Sequence, residues 1–522
     1  MQKASSHPKS RHSFWPALVI FAATLAATTG FTLERHWQSR FVHQEANGML
    51  TYVPDKRGDL LPDFSRVGYY QGNRPIPRVD ATVTLGPSRI KDYDDQQRIQ
   101  RAIDSLSALP VQGDGFRGAL LLKKGTYRVS GTLHIDSSGI VLRGEGDGEK
   151  GTVLIATGAG QRTLVDIRGQ GAPREIPASR SRITEPFVPT GVFWVTVDNP
   201  ALYHSGDAVI LLRPGTSRWI HDLKMDQIVP KKNTVQWTPS QYNLRFKRRV
   251  TRVSGDTVQL DNPVVMQLSD IYGGGYLYRY TFAGCIGNVG VEFIRFESDY
   301  AGDTDENHGW TAVSMNAVTN GWVRSVTARY FGYSCVLLGT EASQVTVTDS
   351  RCLDAKSRIT GGRRYSFCNN GQLNLFTRLF TREGRHDFVT GARTLGPNVF
   401  YDCVAERTHA DIGPHHRWSV GTLYDRVRTD GRMSVQDRGN SGTGHGWTGV
   451  TQIFWNCKAR EAVVQNPWVS GDNYCIGLEG NKWAGHFTDR PQGIWEGENH
   501  PGLQPASLFL AQRSERSGQP AE

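Results

Sequence analysis

The chain has 522 residues, 57 of them glycine, and Val-, Thr- and Tyr-rich runs recur between turn residues. That length accommodates one long repetitive domain or two to three compact ones, and the punctuated runs argue against a helical protein and for a mainly β one. A formal charge of +10, with 60 Lys plus Arg, points to a polyanionic partner, and charge alone does not choose among nucleic acid, anionic lipid and acidic polysaccharide.

At the N-terminus, Lys3, Lys9, Arg11 and His12 precede an uncharged apolar run from Phe14 to Phe31, and the next charge is Glu34. This is the pattern of an export signal. The run is long for a cleaved signal peptide, short of a comfortable membrane span, and not followed by a clean A-x-A site, so residues 1–31 read as a signal peptide or an uncleaved anchor. The expectation is an exported protein, periplasmic or secreted, with membrane anchoring through residues 14–31 as the open alternative. Export and the lack of any motif beyond charge argue against a nucleic-acid partner. Seven cysteines (Cys285, Cys335, Cys352, Cys368, Cys403, Cys457 and Cys475) would meet an oxidising environment, but their odd count and loose spacing make no disulfide framework. Most are expected to be buried apolar residues, with room for one bridge.

After an N-terminal extension over 32–87, the segment Lys91–Leu109 has Ile99, Ala102, Ile103 and Leu106 at helical spacing behind an Asp-rich start. Gly118–Gly146 then reads as short strands cut by glycines. The order of a helix containing AID, then KKGTYRVSGTLHI, then GIVLRGEG and GTVLIA, resembles the opening of the pectate-lyase-like superfamily of right-handed parallel β-helix proteins. The resemblance covers roughly residues 88–168. It implies a helix capping the open end of a solenoid and, over 88–172, the first coils. It implies little about activity, because lyases, hydrolases, epimerases and phage tailspikes share the fold.

Residues 173–283 read differently. VFWVTV, GDAVILL, RRVTRV and GDTVQLDNPVV surround a loop with Trp219 and Trp237. An inserted β subdomain is expected there, a continuous coil with long loops being the alternative. Over 284–480, runs ending in a similar polar or cysteine position recur at about one coil's spacing: VTVTDSRC at Val345, LNLFTRLF at Leu373, NVFYDCVA at Asn398, TLYDRVRT at Thr422 and QIFWNCKA at Gln452. A coil cannot bury its own apolar face, so neighbours must stack into a main β-helix. A C-terminal tail is expected over 481–522.

Second short strands follow four of these runs and can be superposed as Arg364-Tyr-Ser-Phe, His386-Asp-Phe-Val, Arg417-Trp-Ser-Val and Arg432-Met-Ser-Val. Strand alternation would turn Phe367, Val389, Val420 and Val435 inward and stack Arg364, His386, Arg417 and Arg432 outward as a cationic ladder. Arg363, Arg385, His415 and His416 thicken that edge. Two expanded loops rise beside it: Leu353–Gly362 with Lys356 and Arg358, and Val404–Pro414 with Arg407, His409 and Asp411. Stacked like charges repel, so an anionic ligand is expected in the groove so formed, with Trp418, Asp387 and Arg432 among its contacts.

The chemistry that suits such a groove is β-elimination on a uronate polymer. Arginine neutralises the carboxylate, and histidine takes the C5 proton or returns one to the leaving oxygen. His386, His415 and His416, with Arg364 and Arg417, are the expected catalytic residues, and Tyr365 is a further candidate acid. The resemblance implies the same, since β-helix lyases use Arg, Lys or His as base, often beside calcium. No cofactor is assigned, but Ca²⁺ stays open through the acidic stretch Glu297–Trp310, with Asp299, Asp303, Asp305 and Glu306. The rival readings are a glycoside hydrolase using Asp387, Asp411 and Asp437, a C5 epimerase sharing the proton abstraction, a zinc site at His409, Asp411 and His415 or His416, and a non-catalytic glycan-binding solenoid.

Overall fold

The computed structural model describes residues 36–518; the apolar run at 14–31, read as an export signal, lies outside them. No helix among the described residues is long and apolar enough to cross a membrane.

A 28-stranded parallel sheet winds through the chain as a β-helix. One coil shows the rule: strands Leu375–Thr377, Phe380–Arg382 and Phe388–Thr390 pair in parallel with the strands that contain Val399, Val404 and Gly413 in the next coil. The three faces that result are numbered first, second and third in chain order. The corner from first to second face is a single left-handed residue, with φ of 50–55° at Asp349, Arg378, Asp402, Arg426 and Asn456. Asp and Asn tolerate this conformation better than most side chains, and the polar corner residue is what makes the runs DSRC, DCVA and NCKA recur.

Stacking of these runs builds the interior. Val347, Phe376, Phe400, Tyr424 and Phe454 occupy one register position on successive coils. Their rings follow one another at 4.7, 5.2 and 5.3 Å. At the head of the same strands an amide ladder satisfies buried backbone donors: Asn374 Oδ1 accepts from Val345 N (2.9 Å) and Asn398 Oδ1 from Asn374 N (3.0 Å). All seven cysteines are free thiols, and six of them are buried. The helix Gln96–Ser107 buries Ile99, Ala102, Ile103 and Leu106 in the same core and caps the N-terminal end. The parallel sheet continues to Ile494–Glu496, past the boundary expected at 480. Beyond it the helix Leu508–Ser517, together with Phe41, Leu61 and Phe64 of the N-terminal segment, covers the outside of the first face.

Between the third-face strand Arg162–Arg168 and the first-face strand starting at Ile286, the chain leaves the solenoid and forms a seven-stranded sheet within Arg174–Thr281. This insert has its own core, with Trp219 and Trp237, and it closes over Leu395, Trp418, Val420, Trp447 and Val450 of later coils.

The insert corrects part of the expected interior stack. Val420 belongs to the first-face strand Ser419–Asp425 and lies under the insert, not beside Phe367. Trp418 is likewise fully buried there, edge-on to Trp219 at 5.1 Å with its Nε1 on Met266 Sδ, and cannot contact a ligand in the groove. Val389 is off by one residue: Phe367 pairs with Phe388, while Val389 pairs with Cys368 on the outer side in a small cluster with Tyr365. Phe367 and Val435 do line the main core.

Candidate active site

Beyond the third-face strand Asp411–Pro414 the chain turns through His415–Trp418, with Arg417 and Trp418 both left-handed at φ 53° and 69°. The turn sets His415 and His416 against residues of neighbouring coils. The His386 and His415 ring centres are 4.3 Å apart, Tyr365 stands edge-on to His386 at 4.9 Å, and His445 lies 5.0 Å from both His415 and His416. An aromatic file continues outward through Tyr333, 5.2 Å from Tyr365, to Trp310, which stacks parallel on Tyr333.

Hydrogen bonds fix the tautomers. Arg438 donates from Nη1 to His415 Nδ1 (2.9 Å) and to the His415 carbonyl (3.1 Å). A guanidinium offers no acceptor, so His415 Nδ1 is the lone-pair nitrogen and Nε2–H donates to Tyr365 Oη at 3.0 Å. The Tyr365 hydrogen is thereby left free for another acceptor. His386 Nδ1 lies 2.8 Å from the Asp411 carbonyl and 3.2 Å from Asp411 Oδ1, so in the neutral ring the proton sits on Nδ1. Its Nε2 is a buried lone pair without a hydrogen-bond partner.

Burial and neighbouring cations keep His415, His416 and His445 neutral. Burial pushes His415 well below the ordinary imidazole range, with His386 and Arg438 adding to the effect and Asp411 opposing it. Burial and then the surrounding guanidinium groups bring His416 down to about 4, and burial followed by His416 and Arg438 brings His445 to about 3. Burial alone would raise the Asp411 carboxyl, but His386 and Arg438 hold it well below the usual range. Burial lifts Tyr365 to about 12 against the nearby Arg385.

The expected ladder does not form. Arg364 is 6% exposed and donates to the Ser357 carbonyl at 2.6 and 3.1 Å, so it holds a loop beside the cavity rather than standing in an exposed ladder. The third-face strand equivalent to Arg432–Val435 is Asp411–Pro414, with Asp411 opposite Arg432, and Arg417 lies beyond it at the corner, donating to the Thr443 carbonyl. Arg432 is paired with Glu461 at 2.6 Å and lies over Trp483. Asp387 is fully buried, accepting from Ser366 (2.8 Å) and Thr381 (2.6 Å), and burial raises its carboxyl; it is an internal strut.

The basic loop meets the acidic one. Lys356 pairs with Asp303 at 2.8 Å, Arg358 with Glu306 at 2.9 Å, and Arg363 closes on the same Glu306. Asp299 pairs with Arg128, and Asp305 caps the backbone at Ala301 and Asn307. The carboxylates that left calcium open are thus each engaged, and among the described residues no group of three or more His, Cys, Asp or Glu side chains is placed to hold a metal ion. His409 reaches Glu383 at 2.7 Å instead of the imidazole cluster. Arg385, by contrast, forms no ion pair among the described residues; its Nη1 donates to the Gly361 carbonyl, and it flanks Tyr365.

Sequence reasoning missed His445 and Arg438. Both lie in the loop after the strand Arg432–Val435, where QDRGNSGTGHGW has the glycine density of a tight, close-approach turn. A histidine among glycines was the available signal.

The depressed histidines carry a pH signature. An unfolded chain takes up protons near pH 6.5, the folded chain at His416 only near 4, so the unfolded state binds more protons between those values. Stability is fully present above about 6.5 and is lost as pH falls toward 4. His416→Gln is expected to flatten that limb of the melting temperature measured between pH 7 and 4; parallel curves for variant and wild type would refute it.

No protein-family model and no curated protein matches the sequence. Among solved structures, the tailspike protein gp49 from Pseudomonas phage LKA1 is similar at 12% identity and TM-score 0.39, over 77% of this chain and 70% of that one. The Gp54 tailspike of Acinetobacter baumannii bacteriophage AP22, solved with a capsular saccharide, is similar at 10% identity and TM-score 0.26, over 79% and 74%. A 1,3-α-1,4-β-D-galactose-4-sulfate-3,6-anhydro-D-galactose-2-sulfate 4 galactohydrolase is similar at 9% identity and TM-score 0.37, over 80% and 88%.

Proposed function

We propose that this is an exported β-helix enzyme that cleaves an acidic, uronate-containing polysaccharide by β-elimination at the imidazole cluster. The observation that carries the reading is His386, whose Nδ1 is held by Asp411 and whose Nε2 lone pair is buried without a partner, with the Tyr365 ring edge-on to the imidazole. In this reading Arg385 and Arg417, neither in an ion pair among the described residues, neutralise the uronate carboxylate and so acidify C5–H. For this step the buried His386 ring must be uncovered as substrate enters; His386 Nε2 then takes the C5 proton, the C4–O4 bond breaks, and Tyr365 gives its hydroxyl proton to the departing O4. The half-exposed faces of Trp310 and Tyr333 offer a flat apolar platform for neighbouring rings.

Glycoside hydrolysis is the second reading, since the carboxylates Asp354 and Glu383 line a cavity of about 500 Å³ beside the basic loop. Arg382 at 2.7 Å holds Asp354 ionised, however, and Glu383 is engaged by Arg407 and His409, so neither carboxyl is free for the acid role. Incubating the protein with a panel of uronate polymers tests both: elimination yields an unsaturated product that absorbs in the ultraviolet. New reducing ends without absorbance would sink elimination in favour of hydrolysis, and inverted uronates without chain cleavage would make it an epimerase. Arg385→Ala is expected to weaken substrate binding about tenfold or more, and wild-type affinity to fall with added salt because exposed charge is screened over about 10 Å. A salt-independent affinity would remove the polyanion.

A further inference from the structure

The outer side of the first face holds a cluster of cations that the proposed reaction does not use. Arg513 and Arg516 lie one turn apart on the helix Leu508–Ser517 and face Arg66 of the N-terminal segment across a cleft of about 1140 Å³, with Arg378 and Tyr401 on its floor. The frame is rigid: Gln512, buried, accepts from Phe64 N at 2.9 Å and donates to the Pro62 carbonyl at 2.9 Å, which fixes the helix against the segment containing Arg66. Arg378 is satisfied by Asp349, at 2.7 and 2.8 Å. The other three are not. Arg66 Nε is buried without a partner, Arg516 Nη1 donates to the Gln71 carbonyl at 2.8 Å, and Arg513 reaches the Gly72 carbonyl at 3.5 Å. None of the three forms an ion pair among the described residues, and Asp63, whose charge acts on Arg516, is engaged by Ser65 at 2.7 and 3.0 Å. Burial, with Arg66 and Arg513 adding to it, lowers Arg516 to about 10 against the pull of Asp63.

Three guanidinium groups pointed into one cleft repel one another and contribute no packing that neutral side chains would not. Their forked donors match the geometry of a tetrahedral oxyanion, which accepts two parallel bonds from each fork. We infer that the cleft between the C-terminal helix and the first face is an anion site that binds phosphate or sulfate, free or as an ester on a saccharide, through Arg66, Arg513 and Arg516.

The test is a melting-temperature titration of the full chain with sodium phosphate and sodium sulfate against chloride at matched ionic strength, repeated with a monosaccharide phosphate. A ligand that binds the native state alone raises the melting temperature with concentration. The expected result is a saturable rise with the oxyanions and none with chloride; tighter binding of the sugar phosphate than of inorganic phosphate would identify an ester as the ligand. Arg513→Ala is expected to weaken phosphate binding about tenfold or more while leaving the anion-free melting temperature equal or higher, because a repelling charge has gone. A residue with a merely structural role would do the reverse, lowering the anion-free value and leaving the phosphate response intact, and that result would overturn the inference. Arg66→Gln provides the same comparison from the other wall. Equal responses to phosphate and chloride would overturn it too.

Discussion

His386→Ala is expected to lower turnover on a uronate polymer by about a hundred- to ten-thousand-fold, or about 2.7–5.5 kcal/mol of transition-state stabilisation. Substrate affinity should change little, since the carboxylate is held by arginines rather than by the base. Because the ring is 1% exposed and sits between Tyr365 and His415, its removal also leaves a void, so the loss must be separated from misfolding. His386→Gln keeps most of the volume and a donor toward Asp411 but has no basic nitrogen; it should be as inactive as the alanine variant and melt closer to wild type. Free imidazole should restore part of the activity to His386→Ala and none to His386→Gln. Full activity in both variants would move the chemistry elsewhere on the solenoid, and activity lost to a chelator and restored by zinc would recast the rings as ligands.

The β-helix was readable because its repeat is physical. Each coil must present an apolar residue inward at the same register, and each first corner demands a residue that tolerates a left-handed backbone, so TRLF, DCVA and NCKA mark corners even where nothing else repeats. The third face was harder. Its strands Phe367–Asn369 and Phe388–Thr390 are three residues long, too short for alternation to fix a register, and the loops before them differ in length. A one-residue error there exchanged Phe388 for Val389. A larger one placed the strand at Arg417–Val420 instead of Asp411–Pro414, because the end of the corner and the start of the strand Ser419–Asp425 together imitate the Arg-x-Ser-Val pattern of the true strand Arg432–Val435.

The same corner explains why the histidines were singled out while the arginines around them were misjudged. His386, His415 and His416 are drawn together by the coil rise, which short-range spacing approximates. Ion pairing is not local: Arg432 finds Glu461 on the next coil, and Arg363 finds Glu306 two coils before it. Nothing in a run of basic residues reveals which of them are already neutralised, and the surplus that survives lies at Arg385 and Arg417, not along a ladder.

Phe400→Ala is expected to destabilise the solenoid by about 3–5 kcal/mol, the usual range for deleting a buried aromatic ring. Phe400 is fully buried, and its ring lies 4.7 Å from Phe376, 5.2 Å from Tyr424 and 6.0 Å from Phe388 on the third face, so the void would open between coils as well as within one. In a solenoid each coil is held mainly by its two neighbours, and coils on either side cannot close a gap in the stack by shifting sideways without breaking their ladders. The loss should therefore sit near the top of that range, whereas Phe400→Leu, which keeps most of the volume, should lose less than half as much. Denaturant midpoints for the two variants measure the difference. The imidazole cluster is built on the turns of these same coils, so Phe400→Ala should also lower activity near its melting point and leave it close to wild type well below. A Phe400→Ala protein within about 1 kcal/mol of wild type would mean that the rings do not stack through the interior, and the register that brings His386 beside His415 would fall with them.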